Sequence, residues 1–254
     1  MAKKTFLIVT RDADVAGALA GDPQNGLEPR TLIERTYNRL RDDIIEGRLA
    51  PDEKLRVEHL RQRYQVGAGT LREAVTRLVS DALVVAEGQR GFRVAPITLP
   101  DLIDLTELRL HIEIDALRKS IKAGDAAWRA RVGRAFEELS GYEQPLRPEQ
   151  RPAWELLNTQ FHESLLSAHV SLWTVKLLRM LARHSERYRR YAMHLPGNRR
   201  DVHAEHEELF EFSIAGKEAR AALALESHVR ATTDLLIQAE QDGIQWRELA
   251  SGSI

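Results

Sequence analysis

The residues of this sequence best suited to chemistry are three histidines and an asparagine in its second half. The stretch LLNTQFHESLL places Asn158 and His162 four residues apart, on one face of a helix. His206 follows in VHAEHEELF, and His228 follows 22 residues later in ALESHVRATT. That separation fits one helix, a turn and a returning helix, so facing helices could bring three imidazoles and one oxygen together. Imidazole suits Zn, Ni, Cu or Fe, and an oxygen ligand would complete a site with open positions.

A different interpretation of these histidines is also open. A single histidine is more often a surface or hydrogen-bonded residue, because imidazole titrates near neutral pH and pairs readily with its neighbours. His203, which accompanies His206, is open to either interpretation. The remaining histidines are expected to be ordinary polar residues: His59, His111, His169, His184 and His194.

Three imidazoles could also serve a metallohydrolase. Such an enzyme needs a general base beside its metal. Glu163, Glu205 and Glu207 adjoin candidate ligands in the sequence, but adjacent residues on a helix point in different directions. The sequence also lacks an HExxH motif. We therefore predict that the protein is not an enzyme.

A second informative stretch is YQVGAGTLREAVTRLV, residues 64–79. Apolar residues at helical spacing predict three short helices in this region, the third at 71–80 after a connection at 67–70. In LVVAEGQRGFRVAP, β-branched and aromatic residues flank a Gly-rich turn, which predicts a hairpin. Three helices followed by a hairpin are typical of a winged helix-turn-helix.

The residues around the third helix suit contacts with DNA. A recognition helix points its N-terminal end at the base edges of the major groove, and small residues such as Gly69 let its backbone approach phosphates. Arg72 could form bidentate hydrogen bonds with guanine or phosphate, and Thr70 could cap the helix or contact a phosphate. Arg56 could clamp the DNA backbone, and Arg93 on the wing could reach the minor groove. An ordinary solvated or ion-paired arginine is the alternative for Arg72 and Arg93.

Composition limits the class of protein. Of the 254 residues, 43% are hydrophobic and 30% are charged, so the chain can bury a core and stay soluble. No apolar run approaches the ~20 residues of a membrane span. The absence of cysteine excludes disulfides and thiolate zinc sites, and we expect a cytoplasmic protein. Residues 30–96 hold 13 Lys and Arg against 10 Asp and Glu, a basic excess too small to carry an argument alone.

The pattern along the chain predicts a mainly α fold. An N-terminal winged helix-turn-helix precedes an all-α antiparallel helical bundle. We divide the chain into a flexible extension (1–29), the winged helix-turn-helix domain (30–97), a helical effector-binding and dimerisation domain (98–242) and a C-terminal tail (243–254). The helices of the bundle are predicted at about 100–122, 126–142, 149–168, 171–192, 200–215 and 217–240.

The segment TYNRLRDDIIEGRLAPDEKLRVEHLRQRYQVGAGTLREAVTRLVSDALVVAEGQRGFRVAPIT resembles the DNA-binding domain of GntR-family bacterial regulators. The helical remainder resembles the FCD effector domain of the FadR branch, and the resemblance covers about residues 30–240. Within the family, PDEKLR, RY and G.G.LREA are similar to CsiR-like repressors that glutarate relieves. The family pattern is matched at Ile45, Gly47, Pro51, Lys54-Leu55, Leu71-Arg72-Glu73-Ala74 and Gly91-Phe92-Arg93-Val94.

The resemblance implies a homodimeric repressor that binds a pseudo-palindromic operator in double-stranded DNA. It also implies release by a small carboxylate effector, for which a dicarboxylate such as glutarate is our candidate. One departure concerns Gly67-Ala68-Gly69-Thr70, which stands where the family commonly has Ser-Arg-Thr-Pro. Because the arginine at the Ala68 position normally contacts DNA, its loss implies different operator bases or fewer base contacts.

The resemblance also bears on the histidines. Metal-binding FCD domains carry Asp or Asn four residues before the first histidine and two more histidines in the last two helices, and Asn158, His162, His206 and His228 match those positions. We therefore expect a divalent metal, zinc first, with nickel or another metal as alternatives. Asn158 in place of the commoner Asp removes one negative charge from the ligand set. A purely structural metal, without an effector, is the alternative function.

Arg109, in LTELRLHIE, matches a family arginine that faces the same cavity. It could form a bidentate pair with the far end of a dicarboxylate. The alternative role of Arg109 is a salt bridge with Glu113, four residues later on the same helix.

Overall fold

The computed structural model describes residues 31–143, 146–169 and 171–249. The expected N-terminal extension (1–29) lies outside the described residues, as do the last five residues of the expected tail, 250–254. No helix among those described is both long and apolar enough to span a membrane.

The N-terminal unit, which we call the head, is a winged helix-turn-helix. Its strands form an antiparallel sheet of order β1-β3-β2, in which Leu55 pairs with Phe92 and Val84 pairs with Val94. The apolar faces of the helices meet in one core around Leu40, Leu71 and Leu78, which are fully buried. The elements are α1 (Leu32–Ile45), β1 (Lys54–Leu55), α2 (Val57–Tyr64), α3 (Ala68–Ser80), β2 (Val84–Ala86) and β3 (Phe92–Val94), with a 3-10 turn at Gly88–Arg90 between the last two strands.

Two features of the head differ from the sequence prediction. Helix α3 begins at Ala68, three residues before the predicted start at 71, with Gly67 as its N-cap. Glycine has a low helix propensity, so the sequence pattern favoured a connection at 67–70, but packing of the apolar face overrides that preference. Thr70 consequently lies inside the first turn and does not cap the helix. Strand β1 was not predicted, because two residues are too short to show an alternating pattern.

The C-terminal unit, which we call the body, is an antiparallel helical bundle without strands in its described residues. Side-chain caps begin three helices: Thr98 Oγ1 accepts from the Asp101 amide, Ser171 Oγ from Thr174, and Asp201 Oδ1 from Ala204. Each long helix begins and ends within two residues of its predicted limits, and the predicted fold class is confirmed. The helices are α4 (Leu99–Ala123), α5 (Ala126–Glu143), α6 (Arg151–Leu166), α7 (Leu172–Met193), α8 (Val202–Ile214), α9 (Glu218–Gln241) and α10 (Trp246–Leu249), with a 3-10 turn at Pro148–Gln150.

Helix α10 corrects the prediction of a tail at 243–254. Trp246 is fully buried against Tyr191 of α7, with their ring centroids 5.6 Å apart. Its indole Nε1 donates to Glu240 Oε2 at 2.6 Å, so the polar atom of the buried ring is satisfied. A single turn of helix carries too little periodicity to be found from the sequence, but the tryptophan makes it part of the core.

Helix α7 joins the body to the head. His184 Nε2 lies 2.8 Å from the carbonyl oxygen of Asp81, and Arg187 donates to the carbonyl of Ala95 at 2.6 Å. The guanidinium of Arg190 packs on Gly47, where a Cβ would lie 1.7 Å from Arg190 Nη1. Gly47 also has a φ of +72°, which favours glycine. A side chain at this position would therefore disturb both the end of α1 and the head–body contact.

We expect Trp246→Ala to lower the free energy of unfolding by about 3–5 kcal/mol, because it leaves a cavity in a packed core. Trp173 provides the matched control, since it is 81% exposed on α7. Trp173→Ala should change the unfolding free energy by no more than about 0.5 kcal/mol. Urea denaturation followed by circular dichroism measures both, and equal effects would contradict the assignment of α10 to the core.

Candidate functional site

The bundle brings three of the sequence-predicted ligands together. His162 on α6, His206 on α8 and His228 on α9 each present a ring nitrogen, and these three atoms lie within 4.8 Å of one another. The ring centroids are 4.6 Å apart for His206 and His228, and 5.0 Å apart for His162 and His228. We call this group the histidine cluster. Asn158 is buried on α6 one turn before His162 and lines the same cavity.

Two carboxylates orient the imidazoles from behind. Glu143, at the end of α5, lies 2.8 Å from Nδ1 of His206, and Glu205 lies 2.8 Å from Nδ1 of His228. Since Nδ1 donates to a carboxylate, Nε2 of each ring carries the lone pair. Nε2 of His206 is fully buried and has no hydrogen-bond partner among the described residues. A cation among the three rings would satisfy that atom, so the cluster fits a divalent metal with imidazole ligands.

Burial sets the charge state of the cluster. Burial lowers the pKa of His162 and His228 well below the ordinary value, and the neighbouring histidines and Arg109 add to the effect. Both rings are therefore neutral at pH 7, which is the form that binds a metal. Burial would raise the pKa of Glu143, but hydrogen bonds from His206, Trp154 and His203 outweigh it and lower the pKa overall. The carboxylate behind His206 is therefore ionised.

His203 does not join the cluster. Its Nδ1 lies 3.2 Å from the second oxygen of Glu143, and its ring stacks on Phe136. It therefore helps to fix Glu143. The other five histidines are dispersed: His184 contacts the head, His111 and His194 bond to backbone carbonyls four residues earlier, His169 lines the cavity wall, and His59 is exposed on α2.

A cavity of about 90 Å³ adjoins the histidine cluster between α4, α6, α7 and α9. Four arginines line it, and each is paired with a glutamate. Arg179 and Arg200 form bidentate pairs with Glu163 and Glu205, with nitrogen–oxygen distances of 2.6–2.7 Å. Arg189 donates to Glu155 at 2.6 Å. The wall thus offers guanidiniums whose charges are already balanced, so an anion would have to compete with a carboxylate for them.

Arg109 is the fourth of these arginines. It shows features of both predicted arrangements, the contact with the cavity and the salt bridge with Glu113. Its side chain lines the cavity, as the resemblance implied. Its guanidinium also pairs with Glu113 at 2.7 Å, as the alternative proposed, and both side chains are buried. Arg109 is close enough to His162 and His228 to lower the pKa of both rings. The position therefore suits contact with a ligand beside the cluster, provided that the pair with Glu113 rearranges.

Sequence reasoning missed the residues that support the cluster. Glu143 ends α5 and reaches α8, while Glu205 points away from His206 to its partner His228 on α9. Arg200 precedes α8 and bonds to Glu205, to the hydroxyl of Thr232 and to the carbonyl of His228. These contacts join separate helices, so no spacing within one helix reveals them. The only usable signal was that a histidine ligand commonly needs an acceptor for its second nitrogen.

A second candidate surface lies at the start of α3 in the head. Gly67 and Gly69 are exposed there, and a Cβ added at either would meet nothing within 4 Å. Neither has a positive φ, so neither packing nor backbone strain within the described chain requires glycine. The first turn contains no acidic residue, and Gly67 supplies no side-chain cap. The amides of this turn are therefore suited to an anion such as a DNA phosphate.

The predicted DNA-contacting arginines occupy different settings. Arg72 and Arg56 are exposed, and neither forms an ion pair within 4.0 Å with any residue in the described ranges. Arg77, on the same helix as Arg72, pairs with Glu73 at 2.9 Å. Arg93 lies on β3 with its guanidinium on Glu87 at 2.9 Å and on the carbonyl of Asp52. Arg56 and Arg72 are thus available to DNA, whereas Arg93 is held within the wing.

The comparisons with known proteins agree with this architecture. Residues 32–94 match the family described as bacterial regulatory proteins, gntR family, and residues 104–231 match the FCD domain. The HTH-type transcriptional regulator BphR of Paraburkholderia xenovorans is 42% identical over 217 residues, which cover 82% of this chain and 86% of that protein. The HTH-type transcriptional repressor GlaR of Escherichia coli is 31% identical over 208 residues, covering 80% of this chain and 94% of GlaR.

Solved structures show the same fold. A GntR transcriptional regulator from Rhodococcus sp. RHA1 superimposes with a TM-score of 0.66 at 22% identity, covering 82% of this chain and 98% of that one. Escherichia coli McbR/YncC gives a TM-score of 0.65 at 18% identity, with 83% and 99% covered. The protein is therefore a DNA-binding transcriptional regulator of the GntR family that carries an FCD domain.

Proposed function

We propose that the protein is a homodimeric repressor that a small carboxylate releases from DNA, with a divalent metal held by the histidine cluster. The observation that carries the proposal is the convergence of three ring nitrogens within 4.8 Å beside an arginine-lined cavity. Repression is supported by the relative GlaR, which is named a transcriptional repressor. Dimerisation is supported by the two-fold symmetry that helix-turn-helix regulators commonly share with their operators.

The proposed metal ligands are His162, His206 and His228, with Asn158 one turn away on α6. The low pKa of His162 and His228, the carboxylates on Nδ1 of His206 and His228, and the buried Nε2 of His206 without a partner among the described residues all support a histidine metal site. Imidazole is a common ligand for zinc, and nickel is the alternative. When bound, the metal would supply a positive centre with open positions for a carboxylate oxygen. Glu143 and Glu205, the carboxylates that contact the rings, are both bonded to Nδ1 atoms and are therefore not free bases.

The proposed effector is a small carboxylate, and a dicarboxylate such as glutarate fits the arrangement of charges. One carboxylate would face the histidine cluster, and the other would face Arg109. The cavity volume of about 90 Å³ limits the ligand to a few heavy atoms unless side chains move. Exchange of Arg109 from Glu113 to the ligand would supply a bidentate contact.

The proposed route to the DNA runs through α7. Leu178, Ala182 and Ser185 of this helix line the cavity, while His184 and Arg187 contact the head. These two sets lie on opposite faces of α7, because His184 is two residues from Ala182. An effector that binds better to one placement of α7 would shift the heads toward one arrangement.

A structural metal without an effector is the second candidate function. Its specific support is that all four arginines in the cavity wall already have glutamate partners, which leaves no unbalanced charge for an anion. In that case metal would stabilise the junction of α6, α8 and α9, and no small carboxylate would bind.

We expect His206→Ala to lose the bound metal, because the substitution removes the most buried of the three ligands. Plasma mass spectrometry of protein purified without chelator should give one divalent metal per chain for the unsubstituted protein and a value near zero for the variant. His111→Ala is the control, since the exposed ring of His111 lies outside the cluster, with its Nδ1 2.7 Å from the carbonyl oxygen of Glu107. Full metal content in His206→Ala would disprove the ligand assignment.

Calorimetric titration of the metal-loaded protein with a panel of dicarboxylates that includes glutarate tests the effector. We expect saturable heat for at least one of them, with a loss of affinity of tenfold or more in Arg109→Ala, because a charge-assisted pair contributes about 1.5–3 kcal/mol. The folding of the variant is checked by circular dichroism. An absence of heat across the panel, with metal fully bound, would favour the structural metal.

We expect Arg72→Ala to weaken operator binding by about 1–3 kcal/mol, the range for an arginine fork on a base. Arg77→Ala on the same helix should have a much smaller effect, because its guanidinium already binds Glu73. Gly69→Ala should stabilise α3 by up to ~1 kcal/mol and still weaken DNA binding, because a methyl group would meet the phosphates. Fluorescence anisotropy with a selected operator measures all three, and equal losses for Arg72→Ala and Arg77→Ala would place the contacts elsewhere.

A further inference from the structure

We propose that the groove between the head and the body is a second ligand site, which binds a small multivalent organic anion such as an organic phosphate or a polycarboxylate. The groove has a volume of about 850 Å³, within the range of about 300–1,000 Å³ that is usual for ligand sites. Helix α1 of the head supplies one wall, and helices α6 and α7 of the body supply the other. Its ligand would therefore touch both domains.

The groove is separate from the histidine cluster. None of Asn158, His162 or His228 lines it. Thr159, Glu163, Arg179 and Ala182 line both the groove and the cavity beside the cluster, so α6 and α7 form the partition between the two spaces. The bidentate pair of Arg179 with Glu163 crosses this partition. A ligand in the groove would consequently contact a face of α7 that adjoins the face lining the cavity of the proposed effector.

The charges in the groove favour an anion. Six arginines line it, against five carboxylates. Two of those carboxylates, Glu46 and Glu155, are bound by Arg48 and Arg189, which lie outside the lining. With these two arginines and Asp43, which Arg48 also binds, the local balance is eight guanidiniums to six carboxylates. The lining arginines are Arg41, Arg147, Arg151, Arg179, Arg183 and Arg190, and the lining carboxylates are Asp42, Glu46, Glu155, Glu163 and Glu186.

Arg151 is a groove residue whose charge is poorly balanced by ion pairs. It begins α6 and is partly buried, but the described part of the chain gives its guanidinium no ion pair within 4.0 Å. Burial and the neighbouring charges of Arg190 and Arg189 lower its pKa. Guanidiniums gathered in a partly buried groove repel one another, and an anion with several oxygens removes that repulsion through forked hydrogen bonds.

The carboxylate of Glu186 lies near Arg151 in the groove and would repel a bound anion. It faces the groove from α7, and the charged groups around it are Glu155 and Arg151 from α6, Arg189 from α7 and Arg41 from α1. Burial and the nearby Glu155 raise the pKa of Glu186 to about 7. A substitution that removes this carboxylate should therefore strengthen anion binding, whereas a substitution of Arg151 should weaken it. These opposite signs distinguish a binding site from a general loss of folding.

The apolar part of the lining points to an organic ligand. Ile45 of α1 and Leu156 and Met193 of the body line the groove beside the arginines. Leu156 is 50% exposed and Met193 is 37% exposed, so both side chains are open to contact. A phosphate or carboxylate on a short carbon skeleton would use both kinds of surface. Because its contacts would span α1, α6 and α7, the bound anion would hold the head to the body.

The test is calorimetric titration of the full-length, metal-loaded protein at pH 8 with two probes, glycerol 3-phosphate and tricarballylate. At least one probe should bind, and the stronger one identifies the anionic group. Arg151→Gln should weaken its affinity tenfold or more, and Glu186→Gln should strengthen it severalfold. His162→Gln, at a residue that does not line the groove, should leave the affinity unchanged even if the variant loses its metal. The proposal is independent of the metal and effector proposals, because these variants affect different sites.

Three outcomes would overturn the second site. One is the absence of binding for both probes. Another is an affinity that Arg151→Gln and Glu186→Gln do not change. The third is a loss of binding in His162→Gln with binding kept in Arg151→Gln, which would place the anion beside the histidine cluster. Circular dichroism of each variant establishes that it is folded before its titration is interpreted.

Discussion

The arrangement of the helical body depends on the buried carboxylate of Glu143. Its side chain is 3% exposed and lies at hydrogen-bond distance from Trp154 Nε1 of α6 and from Nδ1 of His203 and His206 on α8, so one carboxylate at the end of α5 joins three helices. A buried carboxylate is costly unless donors surround it, and here the donors outweigh the desolvation and lower the pKa. The same contact fixes the orientation of the most buried histidine. The stability of the bundle and the geometry of the candidate metal centre thus rest on one hydrogen-bonded group.

In the cavity beside the histidine cluster, buried charges are likewise paired with groups of opposite charge. A buried arginine without a partner would lose more in desolvation than it gains, so each arginine in the wall is balanced by a glutamate. Such a wall has little net attraction for an anion until a ligand replaces a glutamate at one of the guanidiniums. Replacement releases a buried carboxylate, which must then find another donor or move toward water. Binding of a carboxylate at Arg109 would therefore be coupled to a movement of Glu113, and this requirement links occupancy of the cavity to a change in the packing of α4.

The sequence predicted the parts of this molecule that depend on short-range patterns. Six body helices were located within two residues because their apolar faces repeat at helical spacing and Gly or Pro residues interrupt them. The convergence of His162, His206 and His228 followed from a helical return and from the family resemblance. The sequence could not place Glu143, Glu205 or Arg200 beside the rings, because those contacts depend on how separate helices pack. It also placed the start of α3 three residues too late and assigned Trp246 to a tail. In both places, tertiary packing overrides local propensity.

Helix α7 is the element that contacts both the cavity and the DNA-binding head. One face lines the cavity through Ala182 and Ser185, and the opposite face contacts the head through His184 and Arg187. A helix is stiff over this distance, so a ligand that shifts one face must shift the other. Arg187 is buried, and burial lowers its pKa, while its Nη2 donates a hydrogen bond to the carbonyl oxygen of Ala95 in the head. Its Nε has no partner among the described residues, so the contact between the domains retains an unsatisfied donor. An unsatisfied buried donor makes this contact less stable than a fully paired one, so the interface opposes a displacement of α7 less strongly than full pairing would.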